Sequence, residues 1–203
     1  TMGTAQRGPT TRRHRTKSVD VSSALLVAAE EILATAGVDG LTIRAVASRA
    51  GVAPMGVYSR FSNKDGLIDA LFARGFQQLL DAMTAVPATG SVARLRAAGD
   101  AYRDFALAHP HVYRLMFSGF PGDGPSAESE AIAAATFDRL VMHVSECMAT
   151  GDIAEGDPVM MAQMIWNGVH GAVSLELAGV GFTEDPNATF QAMNIAMVRG
   201  LAP

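Results

Sequence analysis

Apolar residues recur along most of the chain at spacings of three and four, which is the period of one face of an α-helix. The first such stripe comprises Leu25, Ala28, Ala29, Ile32, Leu33 and Ala36. Ser22 or Ser23 precedes it as a suitable N-cap, and Gly37 follows at the position where a left-handed residue closes a helix. The pattern predicts a first helix that begins near Ser22 or Ser23 and ends before Gly37.

Two shorter apolar runs follow, each with a residue suited to starting a helix. Thr42 is the expected N-cap of one that ends at Gly51, and Pro54 opens another over residues 54–61. Longer stripes predict further helices near 64–85, 91–108, 111–118, 126–149, 157–180 and 186–201. Strand-like alternation of useful length is missing from the sequence. The predicted fold class is therefore all-α, with about nine helices.

Charge divides the 203 residues unequally. Residues 1–66 hold nine Lys and Arg against five Asp and Glu, a formal charge of +4, and the remainder carries −8. The basic segment 1–66 and the acidic remainder indicate that only residues 1–66 bind a polyanion. Hydrophobic residues make up 49% of the chain, so a sizeable core can form.

The segment around Gly51 has the residue types of a helix-turn-helix. Ile43 supplies an apolar anchor, Ala47 a small residue where two helices cross, and Gly51 the left-handed turn. Val57 then fixes the second helix to the core. These spacings suit two short helices that meet at a steep angle.

The longer string from Leu41 to Leu67 contains Gly-Val-x(4)-Val-Tyr-x-x-Phe-x-x-Lys-x-x-Leu. It closely resembles the N-terminal domain of the TetR (tetracycline-repressor-like) family, over about residues 22–72. The resemblance implies a DNA-binding three-helix domain joined to a larger helical domain for ligand binding and dimerisation. We therefore expect a disordered basic arm at 1–19, the helix-turn-helix domain at 20–66, and the ligand-binding and dimerisation domain at 67–203.

The resemblance also assigns DNA-contacting roles. The residues are Thr42, Arg44, Pro54, Met55, Gly56, Tyr58, Ser59, Arg60 and Lys64. Thr42 would bring a helix N-terminus to a phosphate, Arg44 would contact a base or phosphate, and Lys64 would clamp a phosphate. Tyr58 would either offer its hydroxyl to phosphate or pack within the domain. Ser59 and Arg60 would project toward the groove or the DNA backbone.

The start of the predicted recognition helix, residues 53–56, departs from the family pattern, and we call it the reading edge. Ala53, Pro54 and Gly56 stand where relatives usually carry hydrogen-bonding or larger residues, so this edge offers few side-chain hydrogen bonds. Base specificity then depends on Arg44, Ser59 and Arg60, on apolar contact with thymine methyls, or on DNA shape.

Two alternative roles are considered for each of three further features: the basic run at 12–17, Arg49 and Cys147. The basic run at 12–17 either lies along phosphates or in a minor groove, or is a solvated tail. Arg49 suits a solvated helix face better than a contact. The lone Cys147 lies in an apolar helical pattern and suits a core position better than a reactive thiol.

The helix near 157–180 has apolar residues on two faces, which predicts burial on two sides. One side would face the chain's own core, and the other would join the helix near 186–201 in a four-helix homodimer interface. The string Trp166-Asn-Gly-Val-His170-Gly171 resembles a C-terminal domain type within the family named for a Trp-His-Gly motif. The run from His109 to Phe117 supports that assignment.

An effector pocket is expected inside this second domain. Its candidate lining comprises Phe105, Tyr113, Met116, Phe117, Met142, Trp166 and His170. His170 would serve as a polar handle for the ligand or hydrogen-bond across helices. Apolar bias favours a small hydrophobic effector over a sugar or a metal, and we expect no cofactor.

The expected function is a ligand-responsive transcriptional regulator, a repressor in the first instance, that binds a palindromic double-stranded operator as a dimer. An enzyme is disfavoured because the sequence lacks HExxH, GxSxG, P-loop and Cys/His-cluster motifs. A purely architectural DNA binder is disfavoured by the acidic body. Without an 18-residue apolar stretch, a secretory h-region or a second cysteine, we expect a cytoplasmic protein with no membrane partner.

Overall fold

The computed structural model describes residues 12–87, 89–118, 120–121 and 124–203. Over these residues the secondary structure consists of nine α-helices and no strand, as the sequence predicts. The helices are α1 (Arg12–Gly40), α2 (Ile43–Arg49), α3 (Pro54–Phe61), α4 (Lys64–Thr84), α5 (Ser91–Ala108), α6 (Pro110–Ser118), α7 (Ala127–Ala149), α8 (Pro158–Leu177) and α9 (Pro186–Gly200).

Helix α1 is longer than predicted. It begins at Arg12 rather than near Ser22, so the structure places 12–19 in a helix instead of a disordered arm. Neither Gly nor Pro occurs between Thr11 and Ala36, and a helix that has already formed extends at low cost. Residues 1–11 of the predicted arm lie outside the described residues. Gly37, with φ of 65°, interrupts the helix where the sequence predicts a left-handed residue.

The chain divides into two compact units, which join between Leu71 and Phe72 inside α4. The first unit contains α1, α2, α3 and the start of α4. Its core includes Leu25 and Leu41 together with Val46, Val57 and Leu67, all fully buried. These residues come from every helix of the unit, so the two short helices are held by packing as well as by their own hydrogen bonds.

The second unit contains the rest of α4 and helices α5–α9. Leu79, Ala98, Val144 and Val173 are fully buried and come from α4, α5, α7 and α8. Cys147 is also fully buried, which confirms its core position.

One helical stretch, Val21–Gly40, has the length and mean hydropathy of a membrane span, so the expectation that the sequence has no such stretch was wrong. Leu25, Ala28, Ala29 and Leu33 from this stretch are buried in the core of the first unit. Packing within the unit therefore accounts for these four apolar residues, although the larger part of the stretch is not buried.

Candidate functional site

Helix α2 starts with a side-chain cap. The Thr42 Oγ1 accepts a hydrogen bond from the backbone N–H of Ala45 at 3.1 Å. This bond satisfies one of the N–H groups that a helix start leaves without a partner. The capping role predicted for Thr42 is confirmed, and Arg44 lies exposed in the first turn of α2.

The turn between α2 and α3 depends on Gly51. Its φ of 67° lies in the left-handed region, which glycine enters without steric cost. Val52 N–H donates to the Ala47 carbonyl at 3.0 Å and closes the turn. Ala47 and Val57 are buried where the two helices pack, so the predicted helix-turn-helix scaffold is confirmed.

The reading edge of α3 exposes mostly apolar atoms. The helix starts at Pro54 without a side-chain cap on Ala53. Met55 is 73% exposed and Tyr58 is 48% exposed. Tyr58 therefore packs with about half of its surface and leaves the other half accessible, so both roles considered for it remain compatible with the structure.

The Arg60 side chain lies along α3. Its Nη1 donates to the Gly56 carbonyl at 2.8 Å, and the side chain is partly buried along the helix. Ser59 donates to the same carbonyl through Oγ at 3.1 Å. The projection of both residues toward DNA stays a prediction.

Asn63 sets the start of α4, a role that the sequence analysis missed. Its Oδ1 accepts a hydrogen bond from Gly66 N–H at 2.8 Å. Ser62 before it has φ of 60°, so the chain reverses between α3 and α4 within two residues. The signal was present, because Asn is among the preferred N-cap residues. The cap fixes Lys64 as the first residue of α4.

Arg49 forms an ion pair with Glu31 in α1, with Nε and Oε2 2.5 Å apart. Both side chains are about half exposed. This arrangement agrees with the interpretation of Arg49 as a residue of a solvated face.

The second unit contains an apolar cavity of about 160 Å³. Helices α4 to α9 all contribute to its wall. The lining residues are Phe76, Leu79, Met83, Leu95, Ala98, Gly99, Tyr102, Phe117, Ala133, Thr136, Phe137, Leu140, Ile165, Trp166, Val169 and Asn194.

Of the seven residues proposed from the sequence, Phe117 and Trp166 line this cavity. The lining does not include Tyr113, His170, Phe105, Met116 or Met142. Tyr113, Phe105 and Met116 are buried, while Met142 is 51% exposed on α7.

Met142 lies outside the cavity because of its position around α7. On α7 the cavity is lined by Ala133, Thr136, Phe137 and Leu140, which share one helix face. Met142 follows Leu140 by two residues and therefore points about 200° away around the helix.

A polar cluster adjoins one part of this cavity through Tyr102. The Tyr102 hydroxyl lies 2.8 Å from His170 Nδ1 and 3.1 Å from the Tyr113 hydroxyl. Tyr113 is also 2.8 Å from His170 Nδ1. Trp166 Nε1–H donates to the Tyr102 hydroxyl at 3.4 Å, and the Phe117 ring packs on His170. Thus His170 bonds across helices, one of the two roles considered for it.

The cluster is electrically neutral near pH 7. Burial raises the pKa of Tyr102 and, to a lesser extent, that of Tyr113, because it disfavours phenolate. Burial also lowers the pKa of His170, which favours neutral imidazole.

Helix α8 carries a stripe of apolar residues that the second unit leaves exposed. Met160, Met164 and Leu175 are each more than half exposed and share a helix face. Phe182, in the loop after α8, is fully exposed. Gly168, one turn after Met164 and close to the same face, lets α9 approach, since a Cβ there would overlap Met197 Sδ.

Groups of three or more His, Cys, Asp or Glu that could hold a metal ion are absent from the part of the chain that the structure describes.

Comparison with protein families identifies both halves of the chain. The model described as Tetracyclin repressor-like, C-terminal domain matches residues 95–197, and the model described as Bacterial regulatory proteins, tetR family matches residues 25–71. The chain belongs to the TetR family of transcriptional regulators. Members of this family are in general not enzymes, and its N-terminal match contains the whole helix-turn-helix described above.

Individual relatives agree with this assignment. A protein of unknown function from Rhodococcus sp. RHA1 superposes with a TM-score of 0.82 at 31% identity, covering 90% of this chain and 96% of that one. The HTH-type transcriptional regulator Mb1846 of Mycobacterium bovis is 26% identical over 200 residues, covering 82% and 86% of the two chains. The tetracycline repressor protein class A from transposon 1721 of Escherichia coli is 39% identical over 87 residues, covering 43% and 35%.

Proposed function

We propose that this TetR family chain is a ligand-responsive repressor that binds a palindromic operator as a homodimer and releases it when a small apolar effector fills the cavity. The observation that carries the proposal is the continuity of α4. This one helix begins at Lys64, directly after α3, and supplies Phe76, Leu79 and Met83 to the cavity wall. A ligand that displaces these residues therefore acts on α4, the helix that directly follows the proposed recognition helix α3.

DNA binding is assigned to α2, α3 and the start of α4. The proposed contacts are Thr42, Arg44, Pro54, Met55, Gly56, Tyr58, Ser59, Arg60 and Lys64. The exposed edge at Pro54 and Met55 suits apolar contact with thymine methyls. Arg60 contributes to binding only after its Nη1 leaves the Gly56 carbonyl for a phosphate or base.

Homodimerisation is assigned to α8 and α9. The exposed apolar stripe of Met160, Met164 and Leu175 has no cover within the described second unit, and Asn167 lies on the same helix face between Met164 and Leu175. Such a stripe is stabilised when a second copy covers it, and a two-fold axis would then pair α8 and α9 of each copy as a four-helix interface.

The proposed response is a shift between two conformations of the dimer. Two recognition helices must be separated by about 34 Å or a multiple of it to enter successive half-sites. Effector binding that moves α4 would change this separation and lower the affinity for the operator. We expect the dimer to act in the cytoplasm as a repressor, the activity for which its relative, the tetracycline repressor protein class A, is named.

The test is a gel shift on a palindrome from the region upstream of the gene, at several salt concentrations. Arg44→Ala should weaken binding, whereas Arg114→Ala, at an exposed residue of α6 in the second unit, serves as a matched control. Cross-linking or light scattering would establish whether the bound species is a dimer. A chain that shifts no upstream palindrome at low salt would contradict the proposal.

A further inference from the structure

The cavity has the size of a single-ring molecule. Its volume of about 160 Å³ is close to the roughly 150 Å³ of an engineered apolar protein cavity that binds benzene. A long acyl chain or a fused multi-ring compound does not fit this volume without rearranging the wall. Size alone therefore restricts the ligand to a compact ring with a small substituent.

The charge of the wall restricts the ligand further. None of the lining residues of the described chain carries a formal charge. The cavity adjoins three titratable side chains of one cluster: Tyr102, a lining residue, and Tyr113 and His170, which bond to it. Burial keeps all three neutral, through the raised pKa of the tyrosines and the lowered pKa of His170. A carboxylate or ammonium group would lose its hydration here without gaining a counter-ion.

Two of the four polar side chains of the wall are bonded to backbone. Asn194 Nδ2 donates to the Arg96 carbonyl at 3.1 Å, which uses one of its two N–H groups. Thr136 Oγ1 donates to the Ile132 carbonyl at 3.2 Å. The Tyr102 and Trp166 end is where a hydroxyl and an indole N–H lie side by side, so that one ligand oxygen can meet two donors.

The Tyr102 cluster holds more donors than strong acceptors. Neutral His170 offers one lone pair on Nδ1, yet two hydroxyl groups lie 2.8 Å from that atom. With the ring proton of His170 on Nε2, only one hydroxyl can donate to Nδ1 at a time. When Tyr113 donates to His170, the Tyr102 O–H faces the Tyr113 oxygen at 3.1 Å and can exchange that acceptor for a ligand oxygen. The Trp166 N–H, whose bond to Tyr102 is long at 3.4 Å, is the second available donor.

We propose that the effector is a neutral, single-ring molecule with one carbonyl or hydroxyl oxygen, which accepts hydrogen bonds from Trp166 Nε1 and the Tyr102 hydroxyl. This inference rests on the proposed function, because it names the ligand class of the same cavity. Tyr113 acts as a positioning residue: by occupying His170, it frees the Tyr102 hydroxyl for the ligand.

The experiment measures binding of three probes to the full chain by calorimetry at pH 7.5. Acetophenone supplies a ring and one acceptor, ethylbenzene the same ring without oxygen, and benzoate a ring with a charge. We expect acetophenone to bind about three- to tenfold tighter than ethylbenzene, the effect of one net hydrogen bond, and benzoate to bind weakest.

Substitutions of cavity residues test which side chains produce the preference for acetophenone over ethylbenzene. Trp166→Phe and Tyr102→Phe should each bring the affinity for acetophenone close to that for ethylbenzene. Tyr113→Phe should also reduce this ratio, although Tyr113 lies outside the lining, and a merely structural role would weaken both probes equally. Ala133→Leu should fill the cavity and weaken both neutral probes, while Leu107→Ala, exposed on α5, should change neither.

Equal affinities for acetophenone and ethylbenzene, tightest binding of benzoate, or no binding of any probe would overturn the inference. The gel shift without ligand tests the proposed function separately. A chain that binds its operator but prefers benzoate refutes the ligand class alone. A chain that binds acetophenone but no DNA refutes the proposed function alone.

Discussion

At the scale of single residues, Gly51 has the most clearly defined conformational role. A Cβ at this position would meet no atom within 4 Å, so substitution has a backbone cost and no steric one. Gly51→Ala should lower the free energy of unfolding by about 1–2 kcal/mol, because alanine is disfavoured at φ of 67°. Urea denaturation followed by circular dichroism measures the change.

Gly200→Ala is the matched control for this substitution. Gly200 also has open space around its Cβ position but has no positive φ. Its replacement should leave stability unchanged or slightly raised. Equal losses for the two variants would mean that the turn does not depend on glycine at position 51.

His170 should make the stability of the second unit depend on pH. Burial lowers its pKa in the folded state, so the unfolded state binds more protons once the pH falls below about 6.5. Stability should therefore decrease as the pH falls from about 6.5 toward the lowered pKa. Melting temperatures between pH 7.5 and 5 should fall less steeply for His170→Gln than for the wild type. Parallel slopes for the two proteins would show that His170 does not contribute to this dependence.

At the scale of helices, a boundary could be predicted where a proline or glycine starts or ends the helix. Pro54 and Gly51 fix α3 and the turn before it, and the structure has α3 at the predicted residues. The start of α1 had no such marker, because several consecutive residues tolerate helix equally well. The prediction was therefore wrong by about three turns there.

The cavity lining could be predicted only in part, since it depends on how each helix is rotated against its neighbours. Aromatic residues such as Phe117 and Trp166 were identified by their size and spacing. Ala98, Gly99 and Ala133 could not be identified, because small residues create the space and resemble ordinary helix positions. The bond from Arg60 to the Gly56 carbonyl was likewise not predicted, because it depends on the rotamer that the arginine side chain adopts.

The exposed stripe on α8 leads to a prediction about assembly. Leu175→Lys should weaken the proposed dimer by about 3 kcal/mol or more, roughly a hundredfold in dissociation constant, because a lysine ammonium would be buried without a partner. Light scattering over a range of protein concentrations measures the dissociation.

Val27→Lys provides the comparison. Val27 is 42% exposed on α1, in the first unit, so the same change in charge should leave the dissociation constant unaltered. If both lysine variants remained equally dimeric, α8 would not form the interface.

At the scale of the whole molecule, the unequal charge predicts how salt affects DNA binding. Residues 1–66 carry +4 within a chain of net charge −4, so phosphate contacts must come from a few cations. Lys64→Gln should reduce the slope of log K against log salt by about one, the effect of one phosphate contact. Gel shifts between about 50 and 200 mM salt are sufficient to measure this slope. Arg114→Gln, on α6 in the second unit, should leave the slope as it is, and an unchanged slope for Lys64→Gln would exclude that phosphate contact.

The two activities proposed for the molecule must also be coupled reciprocally if α4 connects them. A ligand that weakens operator binding by a given factor is itself weakened by the operator by the same factor, because both describe one free-energy cycle. Acetophenone affinity measured with and without a saturating operator should therefore change by the factor that acetophenone produces in the gel shift. Ala133→Leu should abolish both effects while the ligand-free chain still binds DNA, since Ala133 lines the cavity and lies on α7. Reciprocity holds for any coupling between the two sites, so Ala133→Leu decides whether the cavity is the ligand site. If this variant kept both effects, acetophenone would act at another site and the cavity would not be coupled to the operator.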